Sequence, residues 1–498
     1  MKRLFNCILL LLAVSTLQAG EIVVKPGESL HNALRKAREW RRTNAPQCEG
    51  GITIVIKAGR YYMSEPLFIR PEDSGTAATP LLLKGEEGTV ICGDPKQPRK
   101  QIWPEEGMER IVSFDKEACT ITIPRHDSLL LAMPSMEMVV HQRWAIAILR
   151  VKDMRAHDDS IVVSFKEPES RLEFEHPWPQ PVIGGERGNS SFLLRTAVQR
   201  DGIEQLVIVD GANHVGFEGI TFENTCWNRP LHKGHVTLQG GFPLVDAYKL
   251  KEKEGLPWDE VLENQAWIER PVSAVAVRNA ESVSFTGCRF QHLSATALDY
   301  ESVNNGTIKG CTFEDIGGTA ILAGSFAESP LEVHRPYTHL ADKCSGLRII
   351  GNTIHDATNE DWGAVAISCG YVKNTTIEGN TVSHVNYSGI CIGWGWTPHY
   401  TGMENNHIIN NKVSDYARQL YDAGGIYTLS NQPNSSISDN EISPPYPAPY
   451  ATNHRGFCIY LDARTDGYTI ENNKSGGRLI RRDEIGDNHP GPNLIFRQ

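Results

Sequence analysis

The chain has 498 residues, of which 40% are apolar, 22% charged and 8% aromatic, a globular composition that excludes a disordered polymer and a multispan membrane protein. Its formal net charge of −11 argues against holding nucleic acid or a polyanionic sugar through the overall field. The 44 glycines and 28 prolines follow no triplet period, which excludes collagen and favours a turn-rich, strand-rich chain.

Lys2 and Arg3 precede an apolar run from Cys7 to Val14, and small and polar residues follow, ending Leu17-Gln18-Ala19-Gly20. This is the three-part pattern of a cleaved secretory signal, with a run too short to span a bilayer. A secreted or periplasmic protein without a membrane span is expected. Cys7 lies inside the run, which disfavours a lipid anchor. Cleavage would take the net charge to −13 and leave ten cysteines, spread from Cys48 to Cys458 without a CxxC pair. That distribution predicts neither a zinc site nor a dense disulfide scaffold, and no metal or other cofactor is expected.

Residues 29–42 place Leu30, Ala33, Leu34 and Ala37 on one helical face behind a Ser29 cap, predicting a short amphipathic helix that covers an open sheet edge. Alternating strand patterns follow, over ITIVIKAGRYYMSEPLFIRP, with a break at Ala58-Gly59. These make residues 21–103 an N-terminal cap with the first turns of a repeat. Residues 104–205 lose the repeat and carry separate β-like runs, MEMVVHQRWAIAILRV and SIVVSF, joined by prolines; they read as an inserted β-rich subdomain. A second insertion, 245–271, has mixed charge and helical spacing, and predicts a loop with one short helix.

From residue 215 one short pattern recurs: VGFEGITFEN, VSFTGCRFQH, GTIKGCTFED, LRIIGNTIHD, TTIEGNTVSH, NHIINNKVSD, SSISDNEISP and YTIENNKSGG. Its first inward apolar residues are Phe217, Phe285, Ile308, Ile349, Ile377, Ile408, Ile437 and Ile470; the smallest spacing is 23 and four others lie between 28 and 33. Such a period is one turn of a right-handed parallel β-helix with loops inserted at its corners. The fold predicted is therefore all-β, a solenoid over 206–480 with a C-terminal tail from 481. A second strand follows each copy, as in GAVAISCG, SGICIGWG, GGIYTLSN and FCIYLDAR, so each rung has at least two strands. Asn352, Asn380, Asn411, Asn440 and Asn473 share one corner position and predict an asparagine ladder. Cys288 and Cys311 hold that position in two earlier rungs, as a bridge or as stacked thiols.

A solenoid presents long faces on which loops from successive turns build a groove suited to an extended polymer such as a polysaccharide or oligosaccharide. Sugar binding calls for aromatic platforms, and NYSGICIGWGWTPHY supplies Trp394 and Trp396 beside glycines at a strand end. Glycoside cleavage calls for two carboxyl groups, a proton donor and a nucleophile or water-activating base. Asp422 in YDAGGIYTLSNQP and Asp462 in FCIYLDARTDGY flank aligned second strands, and Asp361 in NEDWGAVAISCG is a third candidate. Counting back four residues from the aligned apolar position puts Asp361, Asn386 and Asp422 in one column. Asp422 precedes its strand and Asp462 follows the equivalent one, so on straight segments they stand roughly 20 Å apart. The pair works only if Ala423-Gly424-Gly425 folds Asp422 over the strand; otherwise Asp361 with Asp422 is the better pair. Tyr427, Tyr460, Arg464 and His355 complete the expected substrate contacts.

GITIVIKAGRYYMSEPLFIRPEDSGT, GNSSFLLR, GAVAISCGYVKNTTIEGN, SGICIGWGW, DAGGIYTLSNQP and IYLDARTDGYTIENN together resemble the β-helical glycoside hydrolases of family 141, with family 120 more distant. The resemblance runs from about residue 50 to 475. It implies a pectin-lyase-like fold, hydrolysis of a glycosidic bond in plant-type glycans, and two late-rung acids that fall here on Asp422 and Asp462. The sequence departs from the pattern at Ala463, where an acidic residue is expected. A polysaccharide lyase on the same architecture, using a base such as Lys373, Lys412, Arg418 or Arg464, is a second reading, and a non-catalytic glycan-binding solenoid a third. Unsaturated products would mark the lyase, and affinity without turnover the binder. The oligomeric state is not legible in the sequence.

Overall fold

In each repeat the chain leaves its anchor strand through a residue in the left-handed region, and the next residue points inward. Gly219, Gly287, Gly310, Gly351, Gly379, Asn410, Asp439 and Asn472 all take φ between +55° and +66° at this corner, a conformation open to glycine and tolerated by Asn and Asp. Repeating one corner winds the chain into a coil. The computed structural model describes residues 19–93, 108–126, 135–185, 188–197, 201–247, 249–251, 255, 261, 267–328, 331–332, 339–447 and 456–497. The leader up to residue 18 and most of the 245–271 insertion, with its expected helix, lie outside these.

The coil is a parallel β-helix of three sheets, with twelve, eleven and ten strands among the described residues. The eight anchors form one register column, from Phe217↔Phe285 through Ile308, Ile349, Ile377, Ile408 and Ile437 to Ile470. Each rung carries three strands, one more than the minimum read from the sequence. The extra one is the short strand after the Asn corner, such as Thr353–Ala357 or Thr381–Val385. Strands Gly486–Asp487 and Ile495–Arg497 add to two of the sheets, so the segment from 481 extends the coil and is no separate tail.

Inside, like stacks on like. Phe217 and Phe285 lie parallel with centroids 4.5 Å apart, as do Phe290 and Phe313 at 4.6 Å. At the corner, Asn380 Nδ2 donates to Asn411 Oδ1 and to Ile349 O, both at 2.9 Å, while Asn380 N donates to the same Asn411 oxygen. The pattern repeats at Asn352, Asn411 and Asn440 and ends on Asn473. Cys288 and Cys311 are free thiols. Each donates Sγ–H to the carbonyl of the preceding anchor, Phe217 O and Phe285 O, both at 3.6 Å, the bond that the Asn amide makes in later rungs.

The helix Leu30–Arg42, capped by Ser29 Oγ, buries Leu30, Ala33, Leu34 and Ala37 against the first rungs. Between residues 109 and 196 lies a seven-stranded antiparallel sheet whose centre is the Met136–His141, Ile146–His157 and Ser160–Phe165 meander. It leans on the solenoid through His141 Nε2, 2.6 Å from Gln419 O, and Trp144 Nε1, which donates to Leu238 O at 3.1 Å. Leu244–Asp246, Trp267–Ile268, Ala327–Glu328 and Leu331–Glu332 form a small second antiparallel sheet. No helix among the described residues is long and apolar enough to cross a membrane.

Two measurements test this packing. Asn411→Ala strips the acceptor from two buried Asn380 donors and is expected to cost at least about 2 kcal/mol, read as a lower urea midpoint with an unchanged slope; an unchanged midpoint would contradict the ladder. The second concerns Glu173, buried in the insertion against the Gln142 amide. Burial pushes its carboxyl up to about 8 from an ordinary 4.5. Between those values the folded chain holds a proton the unfolded chain has released, so this contribution is full below about 4.5 and lost as pH rises towards about 8. Buried His141 and His176, pushed down to about 3 from 6.5, act oppositely and add stability as pH rises from about 3 to 6.5. Relative to Glu173→Gln, the wild type should lose melting temperature from pH 4.5 to pH 8; parallel curves would contradict the assignment.

Candidate active site

The third sheet stacks Val275, Leu298, Ile321, Ile367, Ile390, Ile426 and Ile459 in register. Asp422 stands immediately before its strand Ala423–Thr428, and Asp462 immediately after the neighbouring strand Gly456–Leu461. The corner expected at Ala423-Gly424-Gly425 falls one residue earlier: Asp422 itself is left-handed, with φ +62°. The two glycines then let the strand bend and pack. A Cβ on Gly424 would sit 2.6 Å from Ile426 O, and one on Gly425 would collide with Ile442.

What spans the remaining distance between the two acids is phenol. Tyr427 and Tyr460 are register partners in adjacent rungs, with rings perpendicular and centroids 5.3 Å apart. Tyr460 Oη donates to Asp422 Oδ1 at 3.0 Å, and Tyr427 Oη donates to Asp462 Oδ2. Tyr387, one rung earlier, donates to Asp422 O at 2.9 Å. Gln239 Nε2 reaches both Tyr387 Oη at 3.1 Å and Tyr427 Oη at 3.2 Å. The Tyr387 proton is committed to a backbone carbonyl, which can only accept, so the amide presents its NH2 to the phenols. Asn488 Nδ2 donates to Asp462 Oδ1 at 2.7 Å. Asp462 is buried, and both its oxygens accept from neutral donors; Asp422 is half-buried. Burial, then the Asp462 carboxylate, pushes the Tyr427 phenol well above its ordinary range, and burial, then Asp422, does the same to Tyr387. Both stay protonated as donors.

The other expected residues separate. Asp361 does not join the column, because Ile367, not Val365, aligns with Ile390 and Ile426, and Asp361 therefore falls two residues short. Asn386 instead bonds Thr358 and the Gln419 and Leu420 amides. Asp361 is buried in a neighbouring cleft of ≈ 620 Å³, with Oδ2 2.9 Å from His235 Nε2 and Oδ1 accepting from Gly363 N at 3.1 Å. Trp394, expected as a platform, is buried at 4% exposure under Phe242 and Phe326; a glycine-flanked tryptophan reads alike whether a sugar or a loop covers it. Trp396 is half-buried and packs on the Tyr427, Leu429, Tyr460 and Ala463 cluster. Ala463 is buried there, where an acid would lack water. Arg464 sits two residues past Asp462 at a left-handed corner of φ +63°. His355 is exposed on the second sheet, bonded to Ser383 Oγ, and not beside the carboxylates. Lys373 is held by Asp342, and Arg418 by His384 and Asp415.

Gln239, Asn488 and Tyr387 were not picked out by sequence reasoning. Tyr387 carries a usable signal, since it precedes the aligned Ile390 by three residues at the strand edge that also carries Asp422. Gln239 comes from an irregular segment that the insertion holds in place through Trp144 and the Ile148–His235 bridge. Asn488 comes from the last partial rung. Neither has a local pattern.

Comparison with known proteins agrees with this architecture. A model described as the GH141 insertion domain matches residues 94–203, and one for a right-handed β-helix region matches 339–477. A solved structure titled "Glycoside hydrolase" is 32% identical, covers 96% of each chain and superposes with a TM-score of 0.87. A family 136 lacto-N-biosidase from Eubacterium ramulus (9% identity, 90% of this chain and 62% of that one) and the Streptococcus pneumoniae surface adhesin PfbA (9%, 94% and 86%) reach TM-scores of only 0.34 and 0.28. No curated protein matches significantly. With a full-length relative at this identity and the matching insertion, the chain belongs to the β-helical glycoside hydrolases of the family 141 type.

Proposed function

We propose that the protein hydrolyses a glycosidic bond in a complex plant-type polysaccharide or oligosaccharide, with Asp422 as proton donor and Asp462 as nucleophile or water-activating base. The observation that carries this is the pair of carboxyls on adjacent rungs linked through perpendicular Tyr427 and Tyr460. Each oxygen of Asp462 is engaged, Oδ2 by the Tyr427 phenol and Oδ1 by the Asn488 amide, an arrangement that fixes the orientation of the carboxyl and suits a base. Asp422 is the more open of the two, and so better placed to protonate a leaving oxygen. The plant-type substrate class rests on the resemblance carried by SGICIGWGW and DAGGIYTLSNQP. The Lys2, Arg3 and apolar leader supports action outside the cytoplasm, in the periplasm or the medium.

A panel of aryl glycosides and plant polysaccharides, read by released reducing ends, tests the assignment. Asp422→Asn and Asp462→Asn are each expected to lower turnover by about a thousandfold, with folding intact by circular dichroism. Full activity in both variants would discard the pair. Tyr427→Phe removes a donor to Asp462 and should lower kcat by about tenfold to a hundredfold with KM within about twofold. An unchanged kcat would mean that the phenol merely packs.

A further inference from the structure

The ≈ 620 Å³ cleft holding Asp361 lies on the same strand edge as Asp422. Its floor is built from the residues three before each aligned apolar position: Val272, Ala295, Gly318 and Ala364. The next residue in that row is Tyr387, and Asp422 stands beside the one after it. At about 4.8 Å per rung, the near end of the cleft is roughly 10 Å from Asp422 along the solenoid. The segment from His235 to Gly241 separates the two places. It faces the cleft with His235 and Gly241 and reaches the phenols with Gln239.

The cleft contains the elements of sugar recognition. Trp227 offers a half-buried ring in its wall, edge-on to His235 at 4.8 Å. Its polar side chains are already engaged: Arg229 pairs with Glu269, Arg270 pairs with Asp299, and Asp361 Oδ2 is hydrogen-bonded to His235 Nε2. The formal charges of the lining balance, Arg229, Lys233 and Arg270 against Glu204, Glu269 and Asp361, so the cleft offers no net charge to an ion but many donors and acceptors to hydroxyls. Two buried polar atoms in the lining lack a partner, His235 Nδ1 and Arg229 Nε, an acceptor and a donor. Gly241 keeps the wall open, since a Cβ there would lie 2.9 Å from Asp361 Oδ2.

We propose that this cleft is a second carbohydrate-binding site, taking a neutral glycosyl residue of the substrate chain a short oligosaccharide's reach from Asp422. It rests on the glycosidase reading for the identity of its ligand, but not on which carboxyls are catalytic.

Ligand-observed NMR on the intact protein tests it, using L-fucose, D-xylose, L-arabinose and D-galactose, with D-galacturonate as the charged control. At least one neutral sugar should bind the wild type. Trp227→Ala and Glu269→Ala should each weaken that binding by about tenfold or more, while the Asp422→Asn, Asp462→Asn double variant keeps it. Glu269 is partly exposed, so its variant decides the matter if Trp227→Ala fails to fold. Binding lost in the double variant but kept in both cleft variants would place the sugar at the carboxylates and overturn the proposal. So would the absence of any bound neutral sugar, or binding of galacturonate alone. Turnover of the carboxylate variants is a separate reading, so either idea can fail while the other stands.

Discussion

The structure depends on in-register stacking of parallel strands, one rung per 4.8 Å or so. Every side chain inside the coil meets its counterpart in the next turn, and each position must therefore tolerate its own repetition. Stacked phenylalanines and isoleucines satisfy this by burial, and asparagines by bonding both the next amide and a backbone carbonyl. The same rule lets residues far apart in sequence become neighbours. Tyr427 and Tyr460 meet because they are equivalent, and the carboxyls they serve are drawn to one place although they flank opposite ends of their strands.

The polar site is costly to bury, and phenols and an amide offset part of that cost at the two carboxyls. Asp462 accepts from the Tyr427 phenol and the Asn488 amide. Phenols pushed upward by burial cannot ionise near neutrality, so the network has a fixed direction, from Gln239 through the hydroxyls to the acids. The neighbouring cleft manages burial differently, by pairing Arg229 with Glu269 and Arg270 with Asp299. One strand edge therefore carries two environments: carboxyls engaged by phenols and an amide, and a cleft whose formal charges balance.

Much of this was legible in the sequence because the repeat states its own register. All eight anchors, the Asn ladder and the capping-helix face fall where periodicity puts them, since burial enforces that pattern in every rung. The site was less legible where it depends on loops. Asp361 and Asp422 share an apparent offset only if Val365 is the aligned residue, and the longer loop before Ile367 breaks that count. Trp394 and His355 were misplaced because composition does not reveal which side of a rung a residue faces. Gln239 and Asn488 enter from an insertion-held segment and the final rung, where no repeat fixes a position.

Diffraction from crystals of the Asp462→Asn variant holding an oligosaccharide substrate tests the central claim most directly. The account predicts the scissile oxygen within about 2.6–3.2 Å of the Asp422 carboxyl, the anomeric carbon facing position 462, and the glycan running along the strand edge towards Trp227. A scissile bond seated instead over Asp361 and His235, with Asp422 out of reach, would contradict it.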